Sequence, residues 1–178
     1  MDLDNRLRGQ LVAAAFEVLL LDAGYQVIPT GIERSLRELR TVAVDRYLEL
    51  APPPLRTTPD FFVLDLKGRE SWLAEVKFRR YLHKRLLDDL ATIQETWPEF
   101  ILVLVLAEPP DEWTGEVRHI RAFQIDEDTE LTWEFLLRDG RRLQDVFVHL
   151  KDRWANGTIL AVQESVLRLT RNQRKNEC

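Results

Sequence analysis

With 178 residues, 45% of them hydrophobic, the chain has material for one ordinary core, so a single domain spanning residues 1–178 is expected. A net charge of −5 argues against a protein that coats nucleic acid by bulk electrostatics. The longest apolar run, Phe100 to Ala107, is the size of a strand and too short for a membrane span, so no membrane partner is expected. The one cysteine, Cys178, excludes an internal disulfide, and the first residues lack a signal-peptide pattern, so a cytoplasmic (intracellular) location is the default.

Residues Leu7 to Leu21 show helical apolar spacing, and Gly24 is a plausible stop. Tyr25 to Pro29 reads as a short strand and Ile32 to Arg40 as a short helix, whereas Thr41 to Leu50 mixes apolar and charged positions and has no clear type. Ala51-Pro52-Pro53-Pro54 is expected to be extended, because successive prolines disfavour helix and sheet bonding. Asp60 then opens the apolar run Phe61 to Leu64, a strand. Lys67 to Glu70 is the turn, and Trp72 to Phe78 the return strand. Arg80 to Trp97 reads as a helix ended by Pro98, and Ile101 to Leu106 as a strand covered on both faces. Beyond Pro109-Pro110, two strands are predicted, Val117 to Ile125 and Leu131 to Leu137, joined by an acidic turn. A helix follows over Leu143 to Trp154, and another over Ile159 to Leu169.

The hairpin carries charges where apolar residues belong. Side chains alternate along a strand, so Glu75 and Lys77 share one face while Ala74, Val76 and Phe78 take the other. A turn centred between Gly68 and Arg69 sets Phe62 opposite Glu75 and Asp60 opposite Lys77, with Glu75 diagonal to Asp60. Cross-strand neighbours lie roughly 5 Å apart at Cβ and diagonal ones roughly 7 Å. Two carboxylates this close repel unless a hard divalent cation, Mg²⁺ or Mn²⁺, accepts oxygen from both. Such an ion leaves coordination positions for water and phosphate oxygens, and a neighbouring Lys can orient or deprotonate the attacking water or neutralise charge on the phosphate. A structural ion pair between Lys77 and Asp60 or Glu75 is the other reading of the same residues.

Pro59-Asp60 together with Glu75-Val76-Lys77, at this hairpin length, resembles the PD-(D/E)xK nuclease superfamily of restriction-endonuclease-like fold. The resemblance covers about residues 10–107. It implies an α/β fold, a central mixed β-sheet flanked by helices, with a restriction-endonuclease-like core in the order helix, strands, helix, strand. Residues of about 111–170 would form a C-terminal α+β elaboration. Carried over, Asp60 and Glu75 ligate the metal, the backbone carbonyl of Val76 adds a ligand, and Lys77 serves the hydrolytic water. The activity implied is metal-dependent hydrolysis of phosphodiester bonds in DNA, RNA being the other nucleic acid open. The superfamily also holds members that kept the fold and lost the chemistry, so a module that only binds nucleic acid or a protein is the alternative. Duplex cleavage would favour a homodimer, since one active site cuts one strand.

Glu17 sits on the first helix with Ala13, Ala14, Leu20 and Leu21 as its neighbours a turn away, so its carboxylate needs an interior partner or must reach water at the stripe edge. The resemblance implies the former, with Glu17 at the metal as a further catalytic acid. Gln94 matches a position of RecB-type members, but Pro98 stands where they carry Tyr. Residues 77–85 hold Lys77, Arg79, Arg80, Lys84 and Arg85 with no acid among them, and the last four are the candidate nucleic-acid contacts. Arg168, Arg171, Arg174 and Lys175 read as a polar tail. His83, His119 and His149 are scattered without ligand spacing, so zinc is not expected.

Overall fold

The computed structural model describes residues 3–31 and 52–171. The predicted helix at Ile32–Arg40, the untyped stretch Thr41–Leu50 and the basic residues Arg174 and Lys175 lie outside the described residues. The fold is α/β, with a five-stranded mixed sheet in the order β1-β2-β3-β4-β5, flanked by helices. The strands are β1 (Gln26–Pro29), β2 (Phe61–Asp65), β3 (Glu70–Arg79), β4 (Phe100–Leu106) and β5 (Ile120–Ile125). The helices are α1 (Leu3–Asp22), α2 (Pro53–Arg56), α3 (Lys84–Thr96), α4 (Trp133–Arg138), α5 (Leu143–Val146), α6 (Lys151–Ala155) and α7 (Thr158–Arg171), with a 3₁₀ turn at Val148–Leu150. No helix among the described residues is long and apolar enough to cross a membrane.

Strand period and helix period together build two cores. Val12, Phe16, Leu19 and Leu20 of α1 pack with Phe61, Val63, Ala74, Val76, Phe78 and the odd-numbered residues of β4. On the opposite face Leu86, Leu90 and Ile93 of α3 pack with Leu102, Leu104 and Leu106. All seven residues of β4 are buried, which explains its unbroken apolar run. β3 and β4 are parallel and joined through α3, while the other neighbours in the sheet are antiparallel.

Four elements differ from expectation. The β2–β3 register pairs Phe61 with Ala74 and Phe62 with Leu73, two residues away from the predicted pairing. Asp65 sets the turn: its Oδ1 accepts from the amides of Lys67 and Gly68, both at 2.9 Å, and Arg69 takes a left-handed φ of 58°. A shift of two leaves every side chain on its predicted face. Pro53 and Pro54 form the first turn of α2 and are not extended, since a proline there sacrifices no helical hydrogen bond. Leu131–Leu137 is not a strand: Thr132 caps α4 by accepting the amide of Phe135 at 3.2 Å, with Glu134 in the first turn and Arg138 in the last. The helix predicted over 143–154 is broken into α5, the 3₁₀ turn and α6.

Candidate functional site

The site lies at the start of β2, beside the part of β3 that runs on past it. Asp60 immediately precedes β2, and its carbonyl is held by the amides of Thr30 (2.9 Å) and Gly31 (3.2 Å) beyond β1. Thr30 Oγ1 also donates to the Pro59 carbonyl at 2.6 Å. One residue past the last paired position, the same register puts Asp60 across from Glu75 rather than from Lys77. The carboxylate of Asp60 then takes the place of a backbone acceptor, receiving the Val76 amide on Oδ2 at 3.0 Å. In return Glu75 Oε2 receives the Asp60 amide at 3.1 Å.

Lys77 lies two residues along β3 from Glu75 and therefore on the same face, where its Nζ pairs with Glu75 Oε1. Glu75 is buried, and Lys77 keeps about a quarter of its side chain (23%) in water. Burial works against the Lys77 charge, but the carboxylate of Glu75, aided by Asp60, outweighs it and holds the ammonium above its ordinary value. Lys77 is therefore a cation at neutral pH. It can donate hydrogen bonds and neutralise negative charge, and in this state it has no lone pair with which to accept a proton.

The donor set suits a hard cation. Each carboxylate oxygen has two lone pairs, so the hydrogen bonds to Asp60 and Glu75 fix their orientation without exhausting them. The Val76 carbonyl lies on the same strand edge as the amide that meets Asp60, because N–H and C=O of one strand residue point to the same neighbour. Among the described residues no group of three acidic, His or Cys side chains could hold a metal ion, so Glu17 is not gathered with Asp60 and Glu75 into such a group. Glu17 is half-buried on α1, which packs on the face of Ala74 and Val76, opposite to that of Glu75 and Lys77.

The basic candidates divide in two. Arg79 meets Asp89 of α3 at 3.0 Å and Arg80 meets Glu108 at 3.1 Å, so both are engaged by acids. Lys84 and Arg85 are exposed at the start of α3. Gln94 donates to the carbonyls of Asp126 (2.8 Å) and Thr129 (3.0 Å), anchoring the turn after β5. Sequence reasoning missed Thr30 and Gly31, which hold Asp60 in place, and it missed Arg121, a buried charge in β5. The signal for Arg121 was a cation between Ile120 and Ala122 in a strand.

Comparison with protein-family models, with curated proteins and with solved structures gives no match. The functional reading therefore rests on the chemistry of Asp60, Glu75 and Lys77.

Proposed function

We propose that the protein is a metal-dependent nuclease that hydrolyses phosphodiester bonds in DNA. The observation that carries this reading is the convergence of Asp60, Glu75 and Lys77 at the start of β2, each held by a named partner. The order α1, strands β1–β3 with the short α2 between β1 and β2, α3 and β4 supports it, since the PD-(D/E)xK resemblance implies helix, strands, helix, strand.

Asp60, Glu75 and the Val76 carbonyl would hold Mg²⁺ or Mn²⁺, which supplies Lewis acidity at the phosphate and a water of lowered pKa. The chain's own part is positional and electrostatic. The reciprocal amide bonds fix both carboxylates before any ligand arrives, so little reorganisation is needed in the reaction. Lys77, kept protonated by Glu75, offsets negative charge as the phosphate is attacked, so the proton of the water leaves to solvent or another acceptor. Lys84 and Arg85, exposed at the start of α3, would contact backbone phosphates, a sequence-independent task.

A second reading is favoured by one specific feature: both carboxylates already have protein partners, as in a lock that joins two strands. In that case the fold binds nucleic acid or protein without turnover. Purified protein offered single-stranded, duplex and branched DNA, and RNA, with Mg²⁺ or Mn²⁺, decides between them. Cleavage of DNA that disappears in Asp60→Ala and Lys77→Ala supports the nuclease. Equal cleavage by wild type and variants marks a contaminant, and intact substrates throughout favour the binding module.

A further inference from the structure

Arg121 and Arg142 lie close enough to repel each other, and Asp145 is the acid whose charge also reaches Arg121. Ala122 and Arg141 form a bridge through mutual backbone bonds of 2.8 and 2.7 Å. Extended by one residue, that antiparallel register sets Arg121 directly opposite Arg142. Like charges at such positions destabilise a strand pair. Arg121 is also buried, at 9% exposure, and burying a charge is costly unless it is paired. The other buried charged residues, Glu75 and Asp65, each meet a basic side chain. Neither Arg121 nor Arg142 forms an ion pair among the described residues.

Local contacts compensate only in part. Arg121 Nη2 donates to the Thr114 carbonyl at 2.8 Å, and the guanidinium lies 5.7 Å from the Trp113 ring centre. A guanidinium offers five N–H donors, so most of its donor capacity remains. Both arginines line one cavity of about 260 Å³, together with Trp154 and one acid, Glu116. Gly115, at a left-handed φ of 96°, bends the loop so that a Cβ there would sit 3.5 Å from Arg142 Nη2. The cavity is of the order that takes a phosphate with part of a nucleoside, just under the ~300 Å³ lower bound of drug-sized pockets.

We propose that this cavity is an anion site in which Arg121 and Arg142 jointly bind a phosphate group. Guanidinium pairs match phosphate oxygens in planar, two-pronged fashion, and the anion cancels the repulsion that the register imposes. Trp154 supplies an apolar wall for whatever carries the phosphate. The site is separate from the Asp60 cluster and does not depend on the nuclease reading: Arg121 and Lys77 flank Leu104 on either side, two strand spacings apart, about 10 Å.

The test is calorimetric titration of the full chain with inorganic phosphate, a 5′-mononucleotide and a single-stranded oligodeoxynucleotide, without divalent metal and against chloride at equal ionic strength. Wild type is expected to bind at least one of the three, and Arg142→Gln to weaken it by at least about tenfold. Binding of phosphate and mononucleotide identifies a terminal phosphate as the ligand, and binding of the oligonucleotide only identifies the backbone. Arg142 is exposed, so its replacement leaves the core intact, and the ligand-free melting temperature of Arg142→Gln should equal or exceed that of wild type because a like-charge contact is gone. No binding by wild type overturns the proposal. So does unchanged affinity in Arg142→Gln, or a ligand-free loss of stability in that variant, which would mark a purely structural arginine.

Discussion

The backbone amide of Asp60 donates to the carboxylate of Glu75 at 3.1 Å. The Asp60 carboxylate in turn accepts the amide of Val76, the residue after Glu75, at 3.0 Å. Each acid is thus held by the other's strand, and a part of the sheet that could have been paired by backbone is paired by side chains. Under the proposed nuclease function, stability and chemistry would draw on the same oxygens, and substitutions can separate them.

Asp60→Asn should keep the fold, because its amide oxygen can still accept from Val76, yet abolish metal binding and cleavage. Asp60→Ala leaves that amide unmatched and should cost a further ~1–2 kcal/mol. Urea unfolding measured beside cleavage checks the split. Equal stability of the two variants would mean that the Val76 bond contributes nothing.

Lys77→Met strands the buried Glu75 carboxylate and should destabilise by about 2–3 kcal/mol, below the ~3–5 kcal/mol of a fully buried pair because part of Lys77 faces water. Adding Glu75→Gln should recover most of that loss, which a double-mutant cycle reads as coupling. The sign in pH follows from the raised pKa of Lys77. Its contribution is fully present below the ordinary value of 10.5 and is lost as pH rises through the higher folded value, so wild type should lose stability above 10.5 more steeply than the double variant.

Asp65 sits at the far end of β2 and behaves in the opposite sense. The Gly68 amide, followed by that of Lys67 and by His149, holds its carboxyl below the usual range against the effect of burial. His149 Nε2 lies 3.2 Å from Asp65 Oδ2, and the His149 amide donates to Tyr25 Oη at 3.2 Å, so the group joins the hairpin turn to the 3₁₀ turn and to the residue that precedes β1. A depressed pKa contributes stability above 3.8 that disappears as pH falls through the folded value. Asp65→Asn should therefore flatten the acid limb of a stability-against-pH curve. An unchanged limb would assign acid unfolding to other carboxylates.

Two glycines should respond oppositely to alanine. At Gly140 a Cβ would approach Phe123 Cζ to 2.8 Å and Cε1 to 2.9 Å, and Phe123 is fully buried, so Gly140→Ala should cost about 1–3 kcal/mol. Gly9, within α1, has nothing within 4 Å of such a Cβ, and Gly9→Ala should add roughly 0.5–1 kcal/mol. Thermal melting of both variants checks the pair.

Much of the sheet could be read from the chain because strand period alone assigns faces. Asp60, Glu75 and Lys77 stay on one side even though the Asp65 turn shifts the register by two. The continuous apolar run of β4 likewise announced a strand covered by α1 and α3. Where local chemistry competes with periodicity, the reading failed: alternation at Leu131, Trp133, Phe135 and Leu137 imitates a strand, but the Thr132 cap selects a helix. The pairing of Arg121 with Arg142 could not be read at all, since a single bridge between distant segments creates it. The place of Glu17 depends on which face of the sheet α1 covers, and no pattern within the helix encodes that.

The central claim is that Asp60 and Glu75 together hold a divalent cation, and titration of metal-free protein with Mn²⁺, followed by calorimetry, tests it most directly. Wild type should bind one ion, Asp60→Asn and Glu75→Gln should each lose it while remaining folded, and Mg²⁺ should compete. Absence of a site in wild type, or equal binding by both variants, would leave Asp60 and Glu75 as a strand lock and contradict the metal centre.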